Sequence, residues 1–239
     1  MNYDEFNRTV DSMEGARPTS LALPALMRKV YVWMAFALII TGLVSYEVAT
    51  SQTILYAVFT NRILFWGIVI AELALVWGIS GAINKLSLTT ATILFILYSA
   101  LNGLTLASIF VLFTASSIAS TFFITAGTFG VMALIGYTTR TDLSSIGKIA
   151  FMGLIGIIIA TVVNIFIGSS MMQMIISYIG VAIFVALTAY DVQKLRVILA
   201  NYEYVDESAQ KVALVGALTL YLDFINLFIY LLRIFGDRK

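Results

Sequence analysis

Cysteine and histidine are both missing from these 239 residues. Without cysteine there is no disulfide scaffold and no thiolate metal site. Without histidine there is no Ser-His nucleophile pair, no His-ligated zinc and no haem with a histidine axial ligand. Charge is scarce as well. Asp, Glu, Lys and Arg supply 11% of the chain, where an ordinary domain carries about 25%. The only two prolines, Pro18 and Pro24, stand near the start. The net charge is +1 and no basic run is present, so nothing points to nucleic acid.

What is abundant is apolar: 61% of the residues are AVILMFWYC. One soluble domain of this length cannot bury so much apolar surface, which excludes a soluble enzyme and a disordered chain alike. The class left is an all-α polytopic membrane protein. Apolar runs recur at Val30–Val48, Ile63–Ile83, Leu88–Leu112, Ile118–Tyr137, Ile146–Ile167, Met171–Tyr190 and Val212–Phe235. Each is long enough to cross a hydrocarbon core of about 30 Å as a helix. None shows the period-two alternation of a barrel strand. The breaks are short and polar, as helix ends require, and the break at Thr114–Ser117 is the weakest. This predicts a polar N-terminal segment, 1–29, read as cytoplasmic, and one seven-helix transmembrane domain, 30–239. The first apolar run is full span length, so it reads as a helix rather than a signal peptide.

Lys and Arg set the orientation. With the N-terminus inside, ten basic residues fall on the inner side: Arg8, Arg17, Arg28, Lys29, Lys85, Arg140, Lys148, Lys194, Arg196 and Lys211. Four fall outside: Arg62, Arg233, Arg238 and Lys239. Three of those four are in the tail, so a re-entrant last segment would make the asymmetry larger. The unbroken run Val212–Phe235 favours a full span instead.

Ionisable residues within spans are costly, and a chain keeps them only with a partner, water or a function. Asp223 lies deep in the last span, on a stripe formed by Gly216, Thr219, Asp223, Asn226, Tyr230 and Arg233. That face points into the bundle. Asp223 is either satisfied by Thr219 or Asn226, or is a proton- or cation-binding carboxylate. Glu72 sits mid-span in the second run with no partner on its own helix. It is either a neutral acid bonded to a neighbour such as Asn102, or a second carboxylate on a cation path. Asp191 ends the sixth run and either pairs with Lys194 at i+3 or pairs with Asp223. Two facing carboxylates cannot both ionise cheaply, so such a pair shares a proton and senses pH without histidine. On these boundaries Asp191 lies near the interface and Asp223 a dozen or so ångströms deeper, so contact requires tilt or a higher sixth helix. Glu47 reads as a wet interfacial charge. Gly127, Gly130, Gly153 and Gly156 read as small-residue helix interfaces.

Tyr190-Asp191 before a basic loop, then Leu220-Tyr221-Leu222-Asp223-Phe224-Ile225-Asn226-Leu227-Phe228 and Leu231-Leu232-Arg233, resembles the C-terminal signature of the Bax inhibitor-1 (transmembrane Bax inhibitor motif) family. Asn102-Gly103-Leu104-Thr105 and Asp142-Leu143-Ser144 agree with it, and the likeness runs from about Met27 onward. The resemblance implies a helical bundle with the last helix at its centre. It implies a pH-sensitive calcium leak, not an enzyme, in which Asp191 and Asp223 are the proton-sensing pair. It places Glu72 with Asp223 on the calcium path, the three carboxylates holding calcium in passing, and no resident cofactor. Some bacterial relatives latch the pair with an arginine from a cluster ending the second helix. Here that stretch holds only Lys85, so Lys85, Lys194 or Arg196 supplies the latch, or nothing does. Asn102 and Asn226 are the neutral supports. The expected surroundings are the lipid bilayer, calcium and protons, in a bacterial inner membrane with the N-terminus cytoplasmic. The competing reading is a non-transporting regulator that binds other membrane proteins. An intramembrane aspartyl protease fits poorly, because Asp223 lacks a preceding Gly-x-Gly and no Pro-Ala-Leu element follows. A retinal protein would need a lysine in the last run, and none is there.

Overall fold

The computed structural model describes residues 21–239; the expected N-terminal segment lies largely outside them. Eight helices follow in order: α1 (Leu23–Thr50), α2 (Gln52–Thr60), α3 (Arg62–Ala82), α4 (Leu88–Leu112), α5 (Ala115–Thr138), α6 (Ser144–Ile167), α7 (Ser170–Leu199) and α8 (Glu207–Phe235). Among the described residues seven of these are long and apolar enough to cross a membrane, and α2 is the short exception.

The polar breaks of the sequence act as caps. Ser51, Asn61, Ser87, Thr114, Ser169 and Asp206 each accept a backbone N–H from the first turn of α2, α3, α4, α5, α7 and α8, satisfying donors a helix leaves unpaired. Gly168 ends α6 with φ +68, the left-handed conformation that favours glycine. The break at Thr114 is real and only two residues long. Tail and turn close over it: Thr114 N donates to Asp237 O (3.0 Å) and Lys239 N to Leu112 O (3.0 Å).

Three boundaries differ from expectation. First, α1 begins at Leu23 rather than Val30, with Pro24 in its first turn, where a missing N–H costs nothing. Second, α2 occupies a stretch read as loop. Third, α7 runs on to Leu199, nine residues past the expected end at Tyr190, because Lys194 and Arg196 ride on the helix rather than in a loop. The last helix is continuous over 29 residues, a full span.

At the centre is α8. Of its most apolar stretch 67% is buried, against 11% for α3 and for α6. It packs between α1 and α7, with α5 and α4 alongside; α3 leans on α4, and α6 on α7. One apolar cluster joins α1, α4, α5 and α8 through residues such as Val30, Phe95, Phe129 and Phe224. A second joins α6, α7 and α8 through Ile157, Phe184, Leu187 and Leu227. Large side chains such as Trp77 and Phe166 are more than 80% exposed on the rim. Contiguous exposure of this kind belongs in lipid.

Close approaches also differ from the sequence reading. A Cβ on Gly127, Gly130 or Gly156 would meet nothing within 4 Å, and only Gly153 of the four faces a neighbour, Ile183. The tight seams are elsewhere. Gly136 lies on the Ala189 backbone of α7, and Gly103 on the Thr41 backbone of α1. In the second seam Thr41 Oγ1 donates to Ser99 O and Ser45 Oγ to Gly103 O, both at 2.9 Å. Small residues let the backbones approach, and the hydroxyls bond across.

Candidate functional site: a buried carboxyl pair and a polar chain on opposite faces of α8

The polar stripe of α8 faces α7. Leu195 packs on Gly216, and Tyr230 packs on Gly180 and stacks on Phe184. Between these two contacts the carboxyls of Asp191 and Asp223 meet within hydrogen-bonding range. The longer α7 is the reason: Asp191 lies eight residues inside its end, about 12 Å at helical rise. Asp223 is 4% exposed, set between the two apolar clusters. Its Oδ2 is buried with no hydrogen-bond donor.

Neither expected partner on α8 serves it. Thr219 Oγ1 donates to Val215 O (3.1 Å) and Asn226 Nδ2 to Leu222 O (2.8 Å), both back into their own helix. No basic latch is seated either. Lys85 is exposed in the turn after α3. Arg196 donates to Tyr137 O at the end of α5 and lies over the Tyr137 ring. Lys194 is the nearest cation to Asp191, yet it is exposed and sits 5.8 Å over the Tyr190 ring. Among the described residues the one salt bridge is Lys211–Glu207. With no cation bonded to it, the pair can close a hydrogen bond only through a proton held between the two carboxyls.

Glu72 is not brought to this pair. It belongs to a second polar group, on the face of α8 turned toward α1 and α4. Thr105 Oγ1 donates to Glu72 Oε1 (3.0 Å), and the Asn102 side chain, one turn earlier on α4, lies near the same carboxyl. Tyr221 Oη donates to Asn102 Oδ1 (3.0 Å) and lies 2.6 Å from Thr41 Oγ1. The one Thr41 hydroxyl hydrogen goes to Ser99 O, so the Tyr221 hydroxyl is the donor in this group and has two acceptors within reach, Thr41 Oγ1 and Asn102 Oδ1. Tyr221 is fully buried, edge-on to Phe95 and Tyr98. Asp223 and Tyr221 are two residues apart, which on a helix is nearly opposite faces. Asp191, Asp223 and Glu72 therefore form two sites rather than one ligand set. Among the described residues no three acidic side chains gather in a way that could hold a metal ion.

Sequence reasoning anticipated the Asn102–Glu72 contact but missed Tyr221, Thr41 and Thr105 around it. Tyr221 falls off the polar stripe of α8, and a lone tyrosine among leucines reads as packing. Gln193 was missed too. It is 8% exposed; Leu143 N donates to its Oε1, and its Nε2 donates to Thr141 O, both 2.8 Å. These bonds fasten the α5–α6 turn to α7, two residues from Asp191.

A seven-span helical bundle built around one buried helix, with an acid pair at that helix's midpoint, defines a polytopic membrane protein with ionisable groups in its interior. Residues 23–239 match the family model described as inhibitor of apoptosis-promoting Bax1. The chain is 51% identical over 218 residues to the inner membrane protein YbhL of Escherichia coli, covering 91% of this chain and 93% of that one. It is 48% identical to an uncharacterized protein of Borreliella burgdorferi, over 89% and 92% of the two chains. With a protein of Rickettsia prowazekii the identity is 38%, over 98% and 99%. The chain belongs to the Bax inhibitor-1 family.

Proposed function

We propose that this protein is a pH-sensitive calcium leak of a bacterial inner membrane, gated by Asp191 and Asp223. The observation that carries the reading is the Asp223 carboxyl, buried without a donor and set against Asp191. A shared proton holds α7 against α8 and closes the path. Losing that proton as pH rises leaves two facing anions, and their repulsion parts the helices. Calcium is a hard cation that takes oxygen ligands; the freed carboxylates supply them on one face of α8. Glu72 offers a further carboxylate on the other face. The membrane assignment follows the name of the Escherichia coli relative, and the cytoplasmic N-terminus follows the distribution of Lys and Arg.

The test is calcium flux into liposomes holding the purified protein alone, at pH 6, 7 and 8. Wild type is expected to pass more calcium as pH rises. Asp191→Asn and Asp223→Asn keep an amide that bonds the remaining carboxyl and cannot titrate, so each is expected to lose the pH dependence. Flux no greater than in empty liposomes at every pH would sink the leak. The non-transporting regulator would then be the better reading, with the aspartates as structural hydrogen-bonding groups.

A further inference from the structure

At the end of the bundle that carries the tail, α4, α7 and α8 line a half-open cavity of about 360 Å³. Its walls include Leu106 and Ile109 of α4 and Ile229 of α8, and its polar groups include Gln173, Arg233 and Arg238. Arg233 stands in the last turn of α8, half-buried, its guanidinium 5.7 Å over the Tyr230 ring. Arg238 enters from the tail, where the backbone is bridged antiparallel to Phe113. The two guanidiniums are close enough to act on each other's charge.

Nothing among the described residues neutralises them. Asp237 is the adjacent acid, but its Oδ2 accepts from Ser117 Oγ of α5 (3.3 Å), and it makes no ion pair with either arginine. The Gln173 side chain has no hydrogen-bond partner among the described residues. Two like charges in one partly buried cavity are unfavourable unless an anion joins them. Arginine forks match the oxygens of phosphate two at a time. The height suits a ligand at the headgroup level, since Arg233 and Gln173 lie in the terminal turns of spanning helices. A smaller apolar crevice of about 90 Å³ shares the Leu106 and Ile109 wall and runs on past Phe110, Phe122 and Phe228.

We propose that this cavity binds a phosphate-type oxyanion, with Arg233 and Arg238 as its charged ligands and Gln173 as a neutral donor. A lipid headgroup and free inorganic phosphate share that chemistry, and the experiment separates them. The full-length protein in detergent is loaded with phosphatidylglycerol or phosphatidylcholine, and retained lipid is counted by native mass spectrometry. In parallel, thermal unfolding is followed in inorganic phosphate and in chloride at equal ionic strength. The variants are Arg233→Gln with Arg238→Gln, Arg238→Gln alone, and Arg62→Gln at the same end of the bundle as a control.

Retention of phosphatidylglycerol over phosphatidylcholine, falling about tenfold for each arginine removed and unchanged in Arg62→Gln, supports the site and assigns it to lipid. A phosphate-specific rise in unfolding temperature with the same variant pattern, and no lipid preference, supports the site and assigns it to the free ion. Equal behaviour of wild type and the arginine variants toward both probes overturns the proposal. So does an equal loss in Arg62→Gln, which would mark general charge attraction. Arg238 is an exposed tail residue, so Arg238→Gln keeps the test valid if the double variant does not fold.

Discussion

Replacing Gly136 with alanine is the sharpest available test of how the bundle is held together. A Cβ at Gly136 would lie 2.9 Å from the Ala189 carbonyl carbon and 3.0 Å from its Cα, with the carbonyl oxygen nearer still. All three are backbone atoms, so no rotamer change relieves the clash. Ordinary contact begins near 3.4 Å, and restoring it parts α5 from α7 by on the order of 1 Å. A gap of that size forfeits roughly a quarter to a half of the attraction along the seam, and overpacking of this kind costs about 1–3 kcal/mol. Gly127→Ala, nine residues earlier on the same helix, meets nothing within 4 Å. It gains about 0.5–1 kcal/mol from the stiffer unfolded chain and better helix propensity. The two alanine variants should thus differ by about 2–4 kcal/mol. At about 2–4 °C per kcal/mol for a chain of this size, that is on the order of 10 °C in thermal unfolding of the purified protein in detergent. Gly136→Ala melting level with or above Gly127→Ala would refute the seam. Because Ala189 is two residues from Asp191, Gly136→Ala is also expected to disturb the acid pair.

Tyr221→Phe keeps the ring against Phe95 and Tyr98 but removes the hydroxyl between Thr41 and Asn102. It should cost about 0.5–2 kcal/mol in the same melting assay, and an unchanged melt would mean its bonds to them are not formed. Asp206 caps α8: Ala209 N and Ser208 Oγ donate to its Oδ1 at 2.7 and 2.9 Å. These bonds hold its carboxyl below the usual aspartate value. Its stabilisation is therefore complete above the ordinary aspartate range near pH 4 and disappears as pH falls through the depressed native value. Asp206→Asn keeps a cap oxygen without the titration, so its acid destabilisation should be shallower than wild type, and identical acid profiles would count against the cap. The chain has no cysteine, so single cysteines report topology cleanly. Ser116→Cys and Arg238→Cys should react with an impermeant maleimide from one side of the membrane, and Asn84→Cys and Asn201→Cys from the other. Labelling of all four from one side would contradict seven spans.

The spans were legible because each polar break carries capping chemistry that water or headgroups must meet, and Ser87, Thr114 and Ser169 sit within a residue or two of where the helices begin. The end of α7 was not legible. Lys194 and Arg196 look like loop charges in a linear sequence, but a helix can continue past the apolar run with its cations exposed or bonded to a neighbour. That shortfall placed Asp191 at the surface and made its contact with Asp223 depend on tilt. Glycines misled for a different reason. Sequence shows that Gly127 and Gly130 are small but not which of them meets a neighbour, whereas Gly136 and Gly103 matter only because Ala189 and Thr41 arrive there from other helices. Hydroxyl partners such as Thr105 and Tyr221 are equally invisible without the neighbouring helix, since their role is set by what stands opposite.

Having no proline, α8 is one unbroken helix of 29 residues, and it carries Asp223 on one side and the Tyr221 hydroxyl on the other. Such a helix turns as one piece. At about 5–6 Å from the helix axis, a 20° turn sweeps a side-chain tip by about 2 Å, enough to break a hydrogen bond on either side. Any rotation that frees Asp223 from Asp191 therefore also withdraws Tyr221 from Asn102, whose side chain lies near Glu72. The two sites share an axle, and linkage is reciprocal: a ligand at Glu72 that favoured one rotation of α8 would shift proton affinity at the pair, and a proton at the pair would shift that ligand's binding by the same factor.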